Sequence, residues 1–313
     1  MSKNKYGTCA LCKQENVELR QSHIIPKGVF KRAKTVPNSR FRNYYEPKQI
    51  YQDGIKIRML CNDCEEFFSK YERAFDNRFL DVYLANPKNH LPKITNDIYF
   101  YIVSVSWRII YDDLYNYQSF HEDSERDVML EFEQKLWRFI IEKYKESKPD
   151  KELPMKELPI PDLRDKPFGV QIAEAEKYFN HKKPEDMSEI QNYVFTLYEL
   201  YNSDDISSFF DSMIIGYSFY ERTHTKYYII SLYKGLIIVT LFSRKSNMLL
   251  SDKCNLIRGS SKSRNQIKKD IKDEVDNLLG IMASRYEETQ KKLDENGLRE
   301  KIAERYTNNT NKK

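Results

Sequence analysis

The apolar positions of the chain fall into short runs first, then a helical period, then runs again. Val17 to Pro26 reads as a short strand that stops at the proline, and Ile50 to Leu60, with Gln52-Asp53-Gly54 as a turn, reads as a second strand or a hairpin. From Cys64 to Phe75 the apolar residues 67, 68, 71 and 75 keep helical spacing. Glu65 and Glu66 suit the positive end of that helix dipole. Helical spacing continues to about Tyr144 through Trp107, Ile110, Tyr111, Leu114, Leu130, Trp137 and Ile141, a stripe that predicts a core. Asp123-Ser124 followed by Glu125 marks a helix start inside it. Five of the 11 prolines (149, 154, 159, 161 and 167) then interrupt the pattern. Beyond them Ile190 to Tyr201 reads as a helix, and Met213 to Phe242 as successive strands, clearest at Tyr227 to Ile230 and Leu236 to Leu241. Residues 262–306 form a charged helical segment with Ile267, Ile271, Val275, Leu278, Leu279 and Met282 on one face, before a frayed Asn/Lys tail from Thr307.

These elements predict an α+β protein: a zinc-binding domain over 1–80, a helical region over 81–148 packed on it, a Pro-rich linker over 149–167, and a C-terminal α+β domain over 168–313. Composition agrees, because 40% apolar and 13% aromatic residues with 9 Gly exclude a collagenous or fully disordered chain. The longest nearly uncharged apolar stretch, Ile98 to Trp107, is about half a membrane span. The polar N-terminus MSKNKYGTC has no hydrophobic signal core, so a soluble, cytoplasmic protein with no membrane partner is expected. No Walker loop, dinucleotide fingerprint, nucleophile elbow or internal repeat is present.

Charge sharpens the picture. Residues 1–64 carry 13 Lys/Arg against five Asp/Glu, an excess of +8, so residues 65–313 carry −3 of the chain's net +5. A basic excess confined to one domain is the footprint expected for phosphate backbones, with a solvated lysine surface as the plainer alternative. Lys27, Lys31, Arg32, Arg40 and Arg42 are the candidate phosphate contacts, and Tyr44, Tyr45 and Tyr51 are candidate stacking residues or a tyrosine core.

Four of the five cysteines form two pairs, Cys9-x-x-Cys12 and Cys61-x-x-Cys64. Two such knuckles supply four thiolates for a tetrahedral structural zinc ion. A disulfide framework suits neither the chain length nor the odd cysteine count, and neither pair sits in the βαβ setting of a redox motif. Cys254, in an apolar stretch, reads as a buried small residue. His90, His121 and His224 lie in turns or at helix ends without ligand spacing.

Knuckle, hairpin and a helix opening at the second knuckle make a treble-clef layout. With Cys9/Cys12, Ser22-His23-Ile24-Ile25-Pro26-Lys27, Gln52-Asp53-Gly54 and Leu60-Cys61-x-x-Cys64-Glu65, residues 9–75 resemble the HNH endonucleases, in a bacterial branch. The resemblance implies a metal-dependent endonuclease cutting nucleic acid, DNA more than RNA, in a setting such as bacterial defence. It implies His23 as the general base on water, and Glu65, with Glu72 seven residues on, as holders of a catalytic Mg²⁺ or Mn²⁺. Asp53 would add a carboxylate or orient His23. The chain departs from the family pattern at three points: Ser22 stands where an acidic residue or histidine is usual, Glu65 where histidine or asparagine is commoner, and no clear middle asparagine precedes the second knuckle, Asn38, Asn43 and Gln52-Asp53 being candidates. The alternative is a catalytically degenerate zinc-dependent nucleic-acid-binding or scaffold subunit, and a third reading is a purely structural zinc module. The C-terminal domain would regulate, bind a protein partner or form a homo-oligomer.

Overall fold

The computed structural model describes residues 5–33, 41–42, 50–51, 54–87, 91–116, 123–150, 190–201, 215–223, 226–243 and 261–295. Its chain is mixed helix and sheet, as expected. Most of the proline-rich stretch, Cys254, His90, His121, His224, Asn38, Asn43, Tyr44 and Tyr45 lie outside the described residues.

Strands β1 (Tyr6–Gly7) and β2 (Val17–Glu18) pair antiparallel across the first knuckle. Strand β3 (Arg20–His23) pairs antiparallel with β6 (Lys56–Leu60), setting His23 opposite Lys56. Between them come α1 (Lys27–Ala33), β4 (Phe41–Arg42) and β5 (Ile50–Tyr51), with β4 and β5 paired to each other. Ile50 to Leu60 is therefore two strands with different partners and not a hairpin. Gly54 turns the chain between them at φ +81, and a Cβ there would lie 2.1 Å from the Phe30 ring, so only glycine fits.

Helix α2 (Asn62–Phe75) buries Cys64, Phe67, Phe68, Tyr71 and Phe75, the face its spacing predicts. It widens into a π turn (Asp76–Leu80) and closes as α3 (Asp81–Ala85). Next come α4 (Asn96–Asn116) and α5 (Asp123–Ser147), the latter starting at the expected Asp123. Helix α4 is the centre of the molecule: it packs on α2, α5, β9 and β10, with Phe75 stacked on Tyr101 at 3.8 Å.

Strands β7 (Ile190–Thr196), β8 (Ile215–Thr223), β9 (Lys226–Tyr233) and β10 (Leu236–Ser243) form an antiparallel sheet in the order β7-β10-β9-β8. Lys234 (φ 47) and Gly235 (φ 81) close the β9–β10 hairpin, the two positive φ values of a type I′ turn. One sheet face meets α4 and α5, through Ser106 to Thr240 at 2.7 Å and Phe132 against Phe242 at 4.9 Å. The last helix, α7 (Ser261–Glu295), also packs on the sheet, burying Ile267, Ile271, Val275, Leu278 and Leu279; Tyr228 donates to Asp270 at 2.8 Å.

The expected helix over Ile190 to Tyr201 is corrected: it is strand β7, which pairs with β10 along its length, followed by the five-residue α6 (Leu197–Tyr201). Every residue of β7 is buried, so the polar alternation that betrays a strand is missing. Among the described residues a single buried core runs from the cysteine knuckles through α4 and α5 to the sheet and α7. Among the described residues, no helix is long and apolar enough to cross a membrane.

Candidate metal centre and the His23 strand

The first knuckle is a tight turn closed by Cys9 N–H to the Gln14 carbonyl (2.9 Å) and Lys13 N–H to the Cys9 carbonyl (3.0 Å), with Lys13 left-handed at φ 58. The second knuckle is the start of α2. Cys61 is its N-cap, extended at ψ 168, and its carbonyl accepts from Glu65 N–H at 3.1 Å. Cys61 and Cys64 thus sit at the positive end of the helix dipole, which favours thiolates. Ala10 N–H to the Met59 carbonyl (2.8 Å) and Cys61 N–H to the Cys9 sulfur (3.3 Å) dock one knuckle on the other.

The four sulfurs of Cys9, Cys12, Cys61 and Cys64 lie within 4.8 Å of one another, all four residues buried. They are free thiols, and Cys12 and Cys61 stand 3.8 Å apart. A zinc–sulfur bond of about 2.3 Å gives a tetrahedron with sulfur–sulfur edges of about 3.8 Å, so this spacing suits a shared ion and is far too long for a disulfide. Hydrogen bonds between the thiols divide their acidity. The Cys12 thiol brings Cys9 down to about 7 and Cys61 lower still, while Cys12 and Cys64 are pushed up. A bound dication would resolve that competition, since it deprotonates the thiols it ligates. The cluster could therefore hold a zinc ion.

The centre is anchored from behind by α5. Trp137 Nε1 donates to the Leu11 carbonyl, inside the first knuckle, at 2.9 Å. Lys13 Nζ lies 5.7 Å from the Trp137 ring centre. Burial pulls the Lys13 ammonium down, opposed by Glu133, whose own carboxyl is pushed up by complete burial and held by Trp107 Nε1 at 2.7 Å.

His23 ends β3, the strand that follows the first knuckle and pairs with β6 just before the second. Its Nε2 is shielded from solvent, and its carbonyl accepts from Arg108 Nη1 at 3.0 Å. Ser22 is fully buried on the side of α2, close enough to support the Glu65 carboxylate. Burial pushes the Glu65 carboxyl up, and the Ser22 hydroxyl and Arg108 counter it. Glu72 accepts from Arg108 Nη1 at 2.8 Å. Among the described residues the cysteine cluster is the grouping of three or more ligands able to hold a metal; Glu65 and Glu72 do not form a second. Asp53 lies outside the described residues.

Of the five basic candidates, Lys27 and Lys31 are exposed on α1, four residues apart and so on one face. Arg42 lies in β4, and Arg40 is outside the described residues. Arg32, the remaining candidate, is held by side chains of the π turn and α3. It bonds Asp81 through Nε (2.5 Å) and Nη2 (2.8 Å), Asn77 through Nη2 (3.0 Å) and Asp76 through Nη1 (3.0 Å). The π turn explains this set, because its five-residue hydrogen bonding puts Asp76 and Asp81 on one side. Gly28 makes room for the clamp: a Cβ there would lie 1.6 Å from Asp76 Oδ2. Burial raises Asp76 to about 6 against the pull of Arg32.

Arg108, Lys13, Glu133 and Asp76 carry no motif in the sequence. The available signal for Arg108 is a charge between Trp107 and Ile109 in a stretch with no other charge from Ile98 to Tyr111; Glu133, beside Glu131, Gln134 and Lys135, offers none.

Compared with family models, with curated proteins and with solved structures, the chain finds no match.

Proposed function

We propose that the N-terminal module is a zinc-framed, HNH-like module that grips nucleic acid and cuts it at His23. The observation that carries this reading is the order β3, β6, α2 inside the four-cysteine frame, with His23 at the end of the first strand. A zinc ion on Cys9, Cys12, Cys61 and Cys64 would fasten the first knuckle to the start of α2 and so fix the strand that carries His23. Exposed Lys27 and Lys31 follow His23 directly in the chain and supply positive charge for a phosphodiester backbone. Imidazole, with an ordinary pKa near neutrality, suits removal of a proton from the attacking water.

A catalytic Mg²⁺ or Mn²⁺ does not fit the described residues in the expected way. Of its expected carboxylates, Asp53 lies outside the described residues, Glu72 is bonded to Arg108, and Glu65 faces the fully buried Ser22. No step is assigned to such an ion. The Arg108–Glu72 pair also favours the second reading, a nucleic-acid-binding subunit that does not cut.

Supercoiled plasmid and single-stranded DNA, incubated with wild type and with His23→Ala in Mg²⁺, Mn²⁺ or EDTA, separate the two. Both proteins must keep zinc and their circular dichroism spectrum. Cutting by wild type that His23→Ala abolishes is expected. Salt-sensitive binding without cutting selects the second reading, and the absence of both refutes each.

A further inference from the structure

The carboxylates Glu65 and Glu72 of α2 and Asp76, the first residue of the π turn that continues it, recur at spacings of seven and four, which places them on one helix face. An acidic stripe beside a histidine-bearing strand would ordinarily attract a divalent cation. Here the stripe meets two guanidinium groups from neighbouring elements. Arg32 of α1 binds Asp76, and Arg108 of α4 binds Glu72. Arg108 is 1% exposed, and its position is fixed on four sides. Nε reaches the Ser104 carbonyl at 3.4 Å, the guanidinium lies 5.2 Å from the Phe68 ring centre, and Nη1 serves both Glu72 and the His23 carbonyl.

We propose that Arg108 is the resident cation of this acidic face: it occupies the charge position that a divalent ion would take and ties the His23 strand to α2 and α4 through one nitrogen. The proposal concerns the same site as the functional reading above but stands on the ion pair alone, whether or not the protein cuts. A buried guanidinium must keep a carboxylate partner, because stripping it leaves an uncompensated charge in the interior. A dication that claimed Glu72 would do that and would also sit against the guanidinium it displaced. Arg108 cannot swing clear, since Phe68, Ser104 and the His23 carbonyl hold it. It is therefore a positioning residue. It aligns His23 through the backbone and sets the metal selectivity of the site by exclusion.

The test is Mn²⁺ binding to full-length, zinc-loaded protein, read from the free Mn²⁺ signal by electron paramagnetic resonance. Wild type is expected to show no Mn²⁺ binding that Glu65→Gln removes. Arg108→Met, folded by zinc content and circular dichroism, is expected to gain one equivalent, lost again when Glu65→Gln is added. Arg108→Lys keeps the charge and is expected to gain none. Glu65-dependent Mn²⁺ on wild type overturns the proposal, as does a folded Arg108→Met that gains nothing or an Arg108→Lys that gains a site. If Arg108→Met does not fold, the wild-type and Arg108→Lys results still decide. A failure to cut DNA leaves each of these results readable, so the two readings fail separately.

Discussion

Trp137→Phe isolates the tie between the first knuckle and α5. Trp137 is 7% exposed and Leu11 fully buried, so the substitution leaves the Leu11 carbonyl without its 2.9 Å donor in a place water does not reach. An unsatisfied buried acceptor costs about 1–3 kcal/mol. The lost ring adds about 1 kcal/mol of packing, and the Lys13 contact weakens by a few tenths. The expected loss is about 2–4 kcal/mol, a large share of the roughly 5–15 kcal/mol that holds a domain. Because Leu11 lies between Cys9 and Cys12, and an ion held by the four cysteines would need the folded knuckle, resistance to a chelator should fall together with stability. Urea unfolding followed by the remaining Trp107 fluorescence gives the first quantity, and zinc release to a colorimetric chelator gives the second. Unchanged urea stability would refute the tie, and a stability loss with unaltered zinc retention would refute its connection to the metal centre.

Two further outcomes follow from the same geometry. Burial raises Asp76 to about 6, so its protonated form favours folding; that contribution is full below the ordinary value of 3.8 and is lost as pH rises through about 6. Relative to Asp76→Asn, wild type should therefore lose on the order of 3 kcal/mol between pH 4 and pH 7 in urea unfolding, whereas a gain would mean that Arg32 outweighs burial. Under the proposed nucleic-acid reading, replacing Lys27 and Lys31 together by Gln should flatten the salt dependence of DNA affinity by about two units of log–log slope, measured by fluorescence anisotropy, and an unaltered slope would count against these two lysines as phosphate contacts.

What the sequence discloses depends on how local its physics is. The four cysteines were legible because two-residue spacing is a property of one turn, and Phe67, Phe68, Tyr71 and Phe75 because one helix face repeats within a dozen residues. Strands β8, β9 and β10 were legible from their aromatic and β-branched runs. Strand β7 was not, since burial over its whole length erases alternation, and its identity comes from pairing with β10 some 40 residues later. The charged groups fared worst. Arg32 reads as a surface cation until the π turn brings Asp76 and Asp81 to it, and Arg108 reads as a charge in the apolar middle of its helix until Glu72 and the His23 carbonyl meet it. Ion pairs across elements leave no periodic trace.

The account stands on the four-cysteine frame, and zinc X-ray absorption on the purified protein tests it most directly. One zinc per chain in a shell of four sulfurs at about 2.3 Å is the predicted result. A metal-free protein that keeps its fold, or a zinc shell containing nitrogen or oxygen, would contradict it.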